Sequence, residues 1–328
     1  MPATAQIKIQ LGKEGVQTWA GGTGIKATVQ LLGVTDASLN IADEVYQPAD
    51  MGYVMPAINA AQVAQHAEGS VAQDATYQDI CYWLDGVFGP ATGSKLAGTQ
   101  YIFKYAAGTS TITAPRPYTI SYGASGAAYR ALGMYPTSLE VAIEAGGVWK
   151  TTVELLGKTV TTKGLNNTLA IRTVQLIKAS DTTVSVGAWA NNTYTATAAT
   201  LISATLNVSN GRHLKQFMGS LTPASSGGDK WEGQLVTVLE YNSTAKAYVD
   251  AMINGVTQKR IQISAATTSP TRAADIYFAG TLVEGATLFE DRDGNMIVSL
   301  TWNGTYSASA AQLNWLKINV TNELSALA

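Results

Sequence analysis

Two stretches of the chain carry the same succession of hydrophobic and polar positions. From Lys230 to Gly255, the residues Leu235, Val236, Val238, Leu239 and Tyr241 form a run rich in β-formers, which predicts a strand. Asn242 or Ser243 follows, with a short side-chain oxygen able to accept the free N–H groups of a first helical turn. Ala245, Tyr248, Val249 and Met252 then stand at i, i+3, i+4, i+7 spacing, so one helix face is apolar, and Gly255 closes the unit. Upstream, Ala67 to Gly86 has the same plan. Glu68-Gly69 matches Glu232-Gly233, Asp74 or Thr76 offers the cap, and Tyr77, Ile80, Cys81 and Leu84 rebuild the stripe.

The flanks agree as well. Ser38-Leu39-Asn40-Ile41 and Met51-Gly52 resemble Thr205-Leu206-Asn207-Val208 and Met218-Gly219, and Glu144, Gly147 and Gly157 line up with Asp291, Gly294 and Gly304. Each match is cheap in a chain rich in Gly, Thr and Ala, but the matches keep their order while their spacing drifts. That pattern predicts a tandem duplication with insertions and deletions in loops; two unrelated β-rich halves are the alternative.

Between these landmarks the chain divides readily. Residues 1–24 start with the clean alternation Gln6-Ile7-Lys8-Ile9-Gln10-Leu11 and end in Gly21-Gly22-Thr23-Gly24. They read either as an N-terminal arm that pairs with a neighbour or as an ordinary first strand. Residues 25–163 form the first domain, with strand alternation from Ile25 to Asn40 and an irregular turn from Pro48 to Pro56. Its long loop or hairpin insertion, residues 91–135, holds Tyr101, Phe103, Tyr105, Tyr118, Tyr122 and Tyr129, broken by Pro115 and Pro117. Long ordered loops tend to be functional, and this one is expected to contact another subunit, as is the alternating pair Ile7 and Ile9. A hairpin from Ser138 to Lys158 turns at Gly146-Gly147, and its counterpart from Thr287 to Tyr306 turns at Asp293-Gly294. Residues 164–200 make a β-rich connector without a helix signal. The second domain, 201–328, ends in the apolar positions Leu313, Trp315, Leu316, Ile318 and Val320.

Composition narrows the function. In 328 residues the charged fraction is 13%, against roughly 25% in typical soluble proteins, while hydrophobic residues make up 46%. Such a surface is expected to be covered largely by other protein, although a β-rich monomer with a neutral surface has the same composition. A net charge of −2 and the absence of a Lys/Arg cluster argue against a protein that grips nucleic acid by its phosphates. One cysteine excludes an internal disulfide framework. Met1 to Gln6 lacks a secretory pattern and no apolar run reaches membrane-spanning length, so folding in a cytoplasm is expected.

Candidate chemistry is sparse, and no enzyme, metal or cofactor is expected. Two histidines, His66 and His213, leave little material for a triad or a metal cluster. Cys81 lies on the apolar helix stripe and reads as a core residue. Gly89 to Lys95 is one residue short of a phosphate loop, with Ser94 before Lys95 rather than after it. Asp291 to Asn295 has Phe289 and Leu300 where a calcium loop needs ligands, and Gly123 to Ala127 misses the nucleophile-elbow pattern at its last position. Glu140, Glu144 and Glu154 share one face of the first hairpin. They read as a solvated strand face, or less readily as a glycosidase pair.

A β-rich repeat with one short helix, a long excursion, extended arms and few charges resembles the tail tube protein of long-tailed bacteriophages. The matching features are the strand–helix units at 68–86 and 232–255 and the paired hairpins. The connector and the insertion match less closely. The resemblance implies a mainly β fold of two tandem β-sandwich tube domains, each with one short α-helix. It implies homotrimeric rings of pseudo-sixfold symmetry, stacked helically, that join other tail proteins in the virion and conduct DNA without binding it specifically. On that reading Glu140, Glu144 and Glu154 face the lumen with Asp291 as a counterpart, because a weakly negative wall lets DNA slide. Ile7, Ile9, Tyr101, Phe103, Tyr105, Tyr118 and Tyr122 are the inter-subunit candidates. Another virion component (capsid, decoration or baseplate) and a carbohydrate-binding β-sandwich are the rival readings, the latter prompted by seven dispersed tryptophans.

Overall fold

The fold is mainly β, as the alternation predicts. The computed structural model describes residues 7–15, 24–47, 60–96, 98–108, 115–189, 193–196, 201–253, 255–268, 271–284, 290–292, 294–306 and 314–328. The glycine-rich loop at 21–23, the Pro48 to Pro56 turn, Asp293 and Leu313 lie outside them.

In the first half the elements are β1 (Lys8–Lys13), β2 (Val29–Gln30), β3 (Val34–Tyr46), β4 (Ala61–Asp74), α1 (Ile80–Phe88), β5 (Ser94–Lys95), β6 (Tyr101–Ala106), β7 (Tyr118–Ala124), β8 (Ala127–Glu144), β9 (Lys150–Gly157) and β10 (Thr159–Thr161). The second half has β11 (Thr182–Ala188), β12 (Tyr194–Ala196), β13 (Leu201–Ser209), β14 (His213–Lys215), β15 (Ser225–Gly227), β16 (Glu232–Glu240), α2 (Ser243–Ile253), β17 (Gln258–Thr268), β18 (Thr271–Glu284), β19 (Glu290–Arg292), β20 (Asn295–Gly304) and β21 (Leu316–Asn322).

One pairing pattern occurs twice, and every ladder in it is antiparallel. Strand β3 pairs β4, β4 pairs β9 and β9 pairs β8; likewise β13 pairs β16, β16 pairs β20 and β20 pairs the end of β18 together with β19. Behind these sheets the tight hairpin β7–β8 carries β1 and then β2, just as β17–β18 carries β11 and then β12. Strands β10 and β21 flank the first parts of β8 and β18. Even the irregularities recur. The register slips between Val34 and Asp36 on β3 and between Leu201 and Ser203 on β13. It slips again between Pro136 and Ser138 on β8 and between Leu282 and Glu284 on β18. A bulge re-aims a strand at one defined point, so shared bulges are a stricter likeness than shared residue types. The ladders also adjust one sequence match. Asn40 stands opposite Glu68, whereas its counterpart Asn207 stands opposite Gln234, so Glu232-Gly233 sits two residues away from the place that Glu68-Gly69 occupies.

The halves are joined edge to edge. Strand β8 pairs β13 from Ser138 opposite Ser209 to Glu144 opposite Ser203. The front sheets therefore merge into one sheet in the order β3, β4, β9, β8, β13, β16, β20, and then the end of β18 with β19. Its inner face carries Leu139, Val141, Val153, Leu155, Leu206, Val208, Leu235 and Leu300, all buried. Alternation along each strand does this: side chains two apart share a face, so one face packs on the back strands and the other stays open.

Of the two readings of the N-terminal stretch, residues 8–13 follow the ordinary first strand, since β1 lies between β7 and β2 with Ile9 and Leu11 in the core. Two segments sit differently from the sequence expectation. The insertion is shorter than 91–135, because β7 and the start of β8 belong to the recurring pattern. Its own strand β6 pairs β21, and β5 pairs β6, so the excursion extends the back sheet of the second half. The connector is split: β11 and β12 belong to the second half, while residues before them pair with the segment that leads into α1, through the bridge of Thr76 with Leu176.

Helix α1 is buried along its whole length. Thr76 Oγ1 accepts the Asp79 N–H at 3.0 Å just ahead of it, and Tyr105 and Tyr118 hydroxyls donate to the Cys81 and Tyr82 carbonyls at 3.1 and 2.6 Å. Helix α2 is capped by Asn242, whose Oδ1 accepts the Thr244 and Ala245 N–H groups at 2.9 and 3.0 Å. Only Ala245 and Val249 of α2 are buried.

Candidate assembly surface

The open face of the merged sheet is built from the polar positions of every strand. One row across it, read through the ladders, holds Asp36, Ala72, Thr152, Glu140, Asn207, Gln234 and Asn303. The next holds Ser38, Ser70, Glu154, Ser138, Ser209 and Glu232. Hydroxyls, amides and carboxylates dominate, and these side chains are exposed or half-buried. Lys150 stands on the same face, opposite Asp74 and Ala142. Glu140, Thr152, Glu154, Asn207 and Gln234 line one broad groove that runs from the first half into the second. Such a face makes hydrogen bonds readily and holds a thin negative charge without a basic patch.

Of the sequence candidates, Glu140 and Glu144 on β8 and Glu154 on β9 stand together on this face. Asp291 does not join them: it pairs Met296 on the other parity of β20, and its Oδ1 accepts the Gly294 N–H at 3.2 Å, as a turn residue does. Arg292, one residue on, has the parity of the open face and forms an ion pair with Glu144. Sequence matching missed this because β19 is displaced by one residue against β8.

The aromatic candidates separate by burial. Ile9, Phe103, Tyr105 and Tyr118 are buried in the chain's own core, Phe103 and Tyr118 with no exposed area at all. Their contacts are internal because β1 and β7 are interior strands and β6 packs on α1, where the Tyr105 hydroxyl bonds the Cys81 carbonyl. Ile7 is exposed, and Tyr101 and Tyr122 are half-buried. The Tyr122 hydroxyl donates to the Ala37 carbonyl at 3.0 Å.

The titratable groups of the interior hold α1 in place. Burial pushes the Asp79 and Asp85 carboxyls up. Against it act Arg172 and the Leu32 N–H for Asp79, and the Ala91 N–H and Arg116 for Asp85, with Arg116 Nε 2.7 Å from Asp85 Oδ2. Burial also pushes the Cys81 thiol and the Tyr105 and Tyr118 hydroxyls up, so they stay protonated as structural donors. Among the described residues no three His, Cys, Asp or Glu side chains are grouped to hold a metal ion.

A comparison with protein families decides the identity. The model of the family described as phage tail tube protein matches residues 4–304. The chain belongs to the phage tail tube protein family. No curated protein matches it. The tail tube protein is a structural component of the virion tail, a role in which copies of the chain assemble with one another and with other tail proteins. The open polar face and the sheet edges that bound it are therefore the parts to explain.

Proposed function

We propose that this tail tube protein closes into rings of three chains with pseudo-sixfold symmetry, and that stacked rings form the tube through which DNA passes into the host. The observation that carries this reading is the merged sheet. Two front sheets of one pattern already sit side by side in each chain, joined edge to edge by β8 and β13, with most of their polar positions on one open face. Three chains arranged the same way make six such sheets around a channel. Ring closure removes the strand edges that would otherwise template aggregation.

On this reading the open face lines the channel. Glu140, Glu144 and Glu154 make its wall faintly negative, and the hydroxyls and amides around them hold water rather than phosphate. DNA then meets no fixed cation cluster to release counterions against, and moves freely. Ile7, Tyr101 and Tyr122 remain as surface contacts toward neighbouring copies, and assembly takes place in the host cytoplasm. Duplication of an ancestral tube domain accounts for the recurring ladders and bulges, and a non-enzymatic role fits the inert Cys81.

Electron microscopy of the purified protein tests the proposal. Tubes of constant bore, with threefold averages showing six similar lobes, are expected. Closed shells, discrete particles or a monomer at every concentration would sink it.

A further inference from the structure

We infer that the contact between neighbouring chains copies the contact between the two halves of one chain, with the β3 edge of one copy pairing the β18–β19 edge of the next in a register set by β8 and β13. The inference rests on the ring reading above and adds the residues that close it.

The unpaired edges are the first observation. Among the described residues β3 pairs only β4, and beyond Leu282, whose N–H donates to the Thr257 carbonyl at 2.9 Å, the end of β18 and all of β19 pair only β20. These two edges are the counterparts of the ones that meet within the chain, since β3 corresponds to β13 and β18–β19 to β8. They lie at opposite ends of the merged sheet, so joining them is head-to-tail and closes a ring rather than a two-fold dimer.

Register follows from the shared bulges. The slip after Val34 matches the slip after Leu201, which sets Asp36 in the place of Ser203. On the other edge, Leu155 and Lys150 of β9 correspond to Trp302 and Ile297 of β20. Ala142 stands opposite Lys150 and Glu290 opposite Ile297, so Arg292 takes the place of Glu144. Within the chain Glu144 stands opposite Ser203. Between chains Arg292 therefore stands opposite Asp36, a cation against an anion on the open face. Asp36 is exposed, with one oxygen accepting the Ala37 N–H at 2.8 Å, whereas Arg292 is ion-paired to the exposed Glu144 of its own chain, a partner it exchanges for Asp36 when the edges pair.

Burial gives an independent indication. At the junction inside the chain the end of α1 is covered by the second half: Phe88 stacks on Trp231 at 5.2 Å and the Val87 carbonyl accepts from Asn210 Nδ2 at 3.3 Å. At the end of α2, Ile253 and Val256 are 71% and 82% exposed. On β3, Ile41 is 49% exposed where its counterpart Val208 is buried to 1%. Apolar side chains thus stand bare on the two surfaces the pairing would cover, and the polar sheet face between them is left for the channel.

Cross-linking tests the register. Cys81 is the chain's one cysteine and is buried, so Asp36→Cys with Arg292→Cys adds the reactive pair, and residues directly opposite on paired strands have Cβ atoms within disulfide reach. Mild oxidation should give a ladder on a non-reducing gel that ends at the closed ring, while either single variant stays monomeric. Charge reversal is the second arm. Asp36→Arg alone should lower sedimentable polymer by about tenfold, Arg292→Asp alone likewise, and the two together should restore it, because like charges directly opposite are unfavourable. Tubes without the cross-link, or a dimer from Asp36→Cys alone, overturn the register and leave the tube reading intact. A cross-linked ladder with no tubes in micrographs leaves the edge pairing standing and removes the tube reading instead.

Discussion

Glu323 shows how single side chains tie the tail of this protein to its core. Burial alone would raise its carboxyl, but the Arg272 guanidinium and the Gln78 amide, at 3.1 Å, overcome that and hold it below its ordinary value of 4.5. A depressed carboxylate adds stability that is fully present above the unfolded value and is lost as pH falls through the lower folded one. Glu323→Gln should therefore lower the melting temperature at neutral pH by the equivalent of at most about 1 kcal/mol, since the pair is partly solvated. The gap between variant and wild type should close as the pH is taken toward 3. Melting curves of both proteins across that range measure it, and a gap independent of pH would refute the pairing. Nothing in the sequence set Arg272 beside Glu323. Their meeting follows from β21 lying against β18.

At the scale of elements, the two helices show how far a pattern carries. The stripe at Tyr77, Ile80, Cys81 and Leu84 is buried as the spacing predicts, while of the α2 stripe Ala245 and Val249 are buried and Tyr248 and Met252 half-buried. Spacing could not tell that α1 has no exposed face, because β6, β7 and the chain's end close over it from distant parts of the sequence. Gly86 measures that crowding. A Cβ there would lie 2.6 Å from Pro136 Cγ and 3.0 Å from the Tyr118 ring. In an exposed helix Gly→Ala adds about 1 kcal/mol of stability, whereas overpacking a close-packed core costs about 1–3 kcal/mol. Overpacking wins here because Tyr118 is fixed by its hydrogen bond and Pro136 by its place at the β8 bulge. Gly86→Ala should shift the urea midpoint downward, and an upward shift would show that α1 has room. The same blindness affected the insertion. Tyr101 to Tyr122 looked like one aromatic excursion, but Phe103 is drawn into the core by β21 and Tyr118 by α1.

For the whole molecule the decisive quantity is the charge of the open face. If that face is the channel wall, Glu140→Lys with Glu154→Lys leaves both edges untouched, so tubes of unchanged bore should form. DNA should then co-sediment with the variant tubes, resist nuclease, and be released as salt rises, since each added lysine neutralises phosphate at the expense of released counterions. Wild-type tubes should retain none. Nuclease-sensitive DNA on the variant would place those residues on the outside.

Local pattern by itself determined a good deal of this protein. Strand alternation, the two helix stripes, the hairpin at Gly146-Gly147 and the scarcity of charge all depend on neighbours in the chain, and so could be read from it. The face shared by Glu140, Glu144 and Glu154 was legible for the same reason, because side chains two apart on a strand always agree. Tertiary structure alone decided which edges meet, that β6 serves the second half, and that Arg292 rather than Asp291 shares the face of Glu144. Those outcomes depend on register between segments far apart in sequence. A shift of one residue there exchanges the two faces of a strand, and composition does not record it.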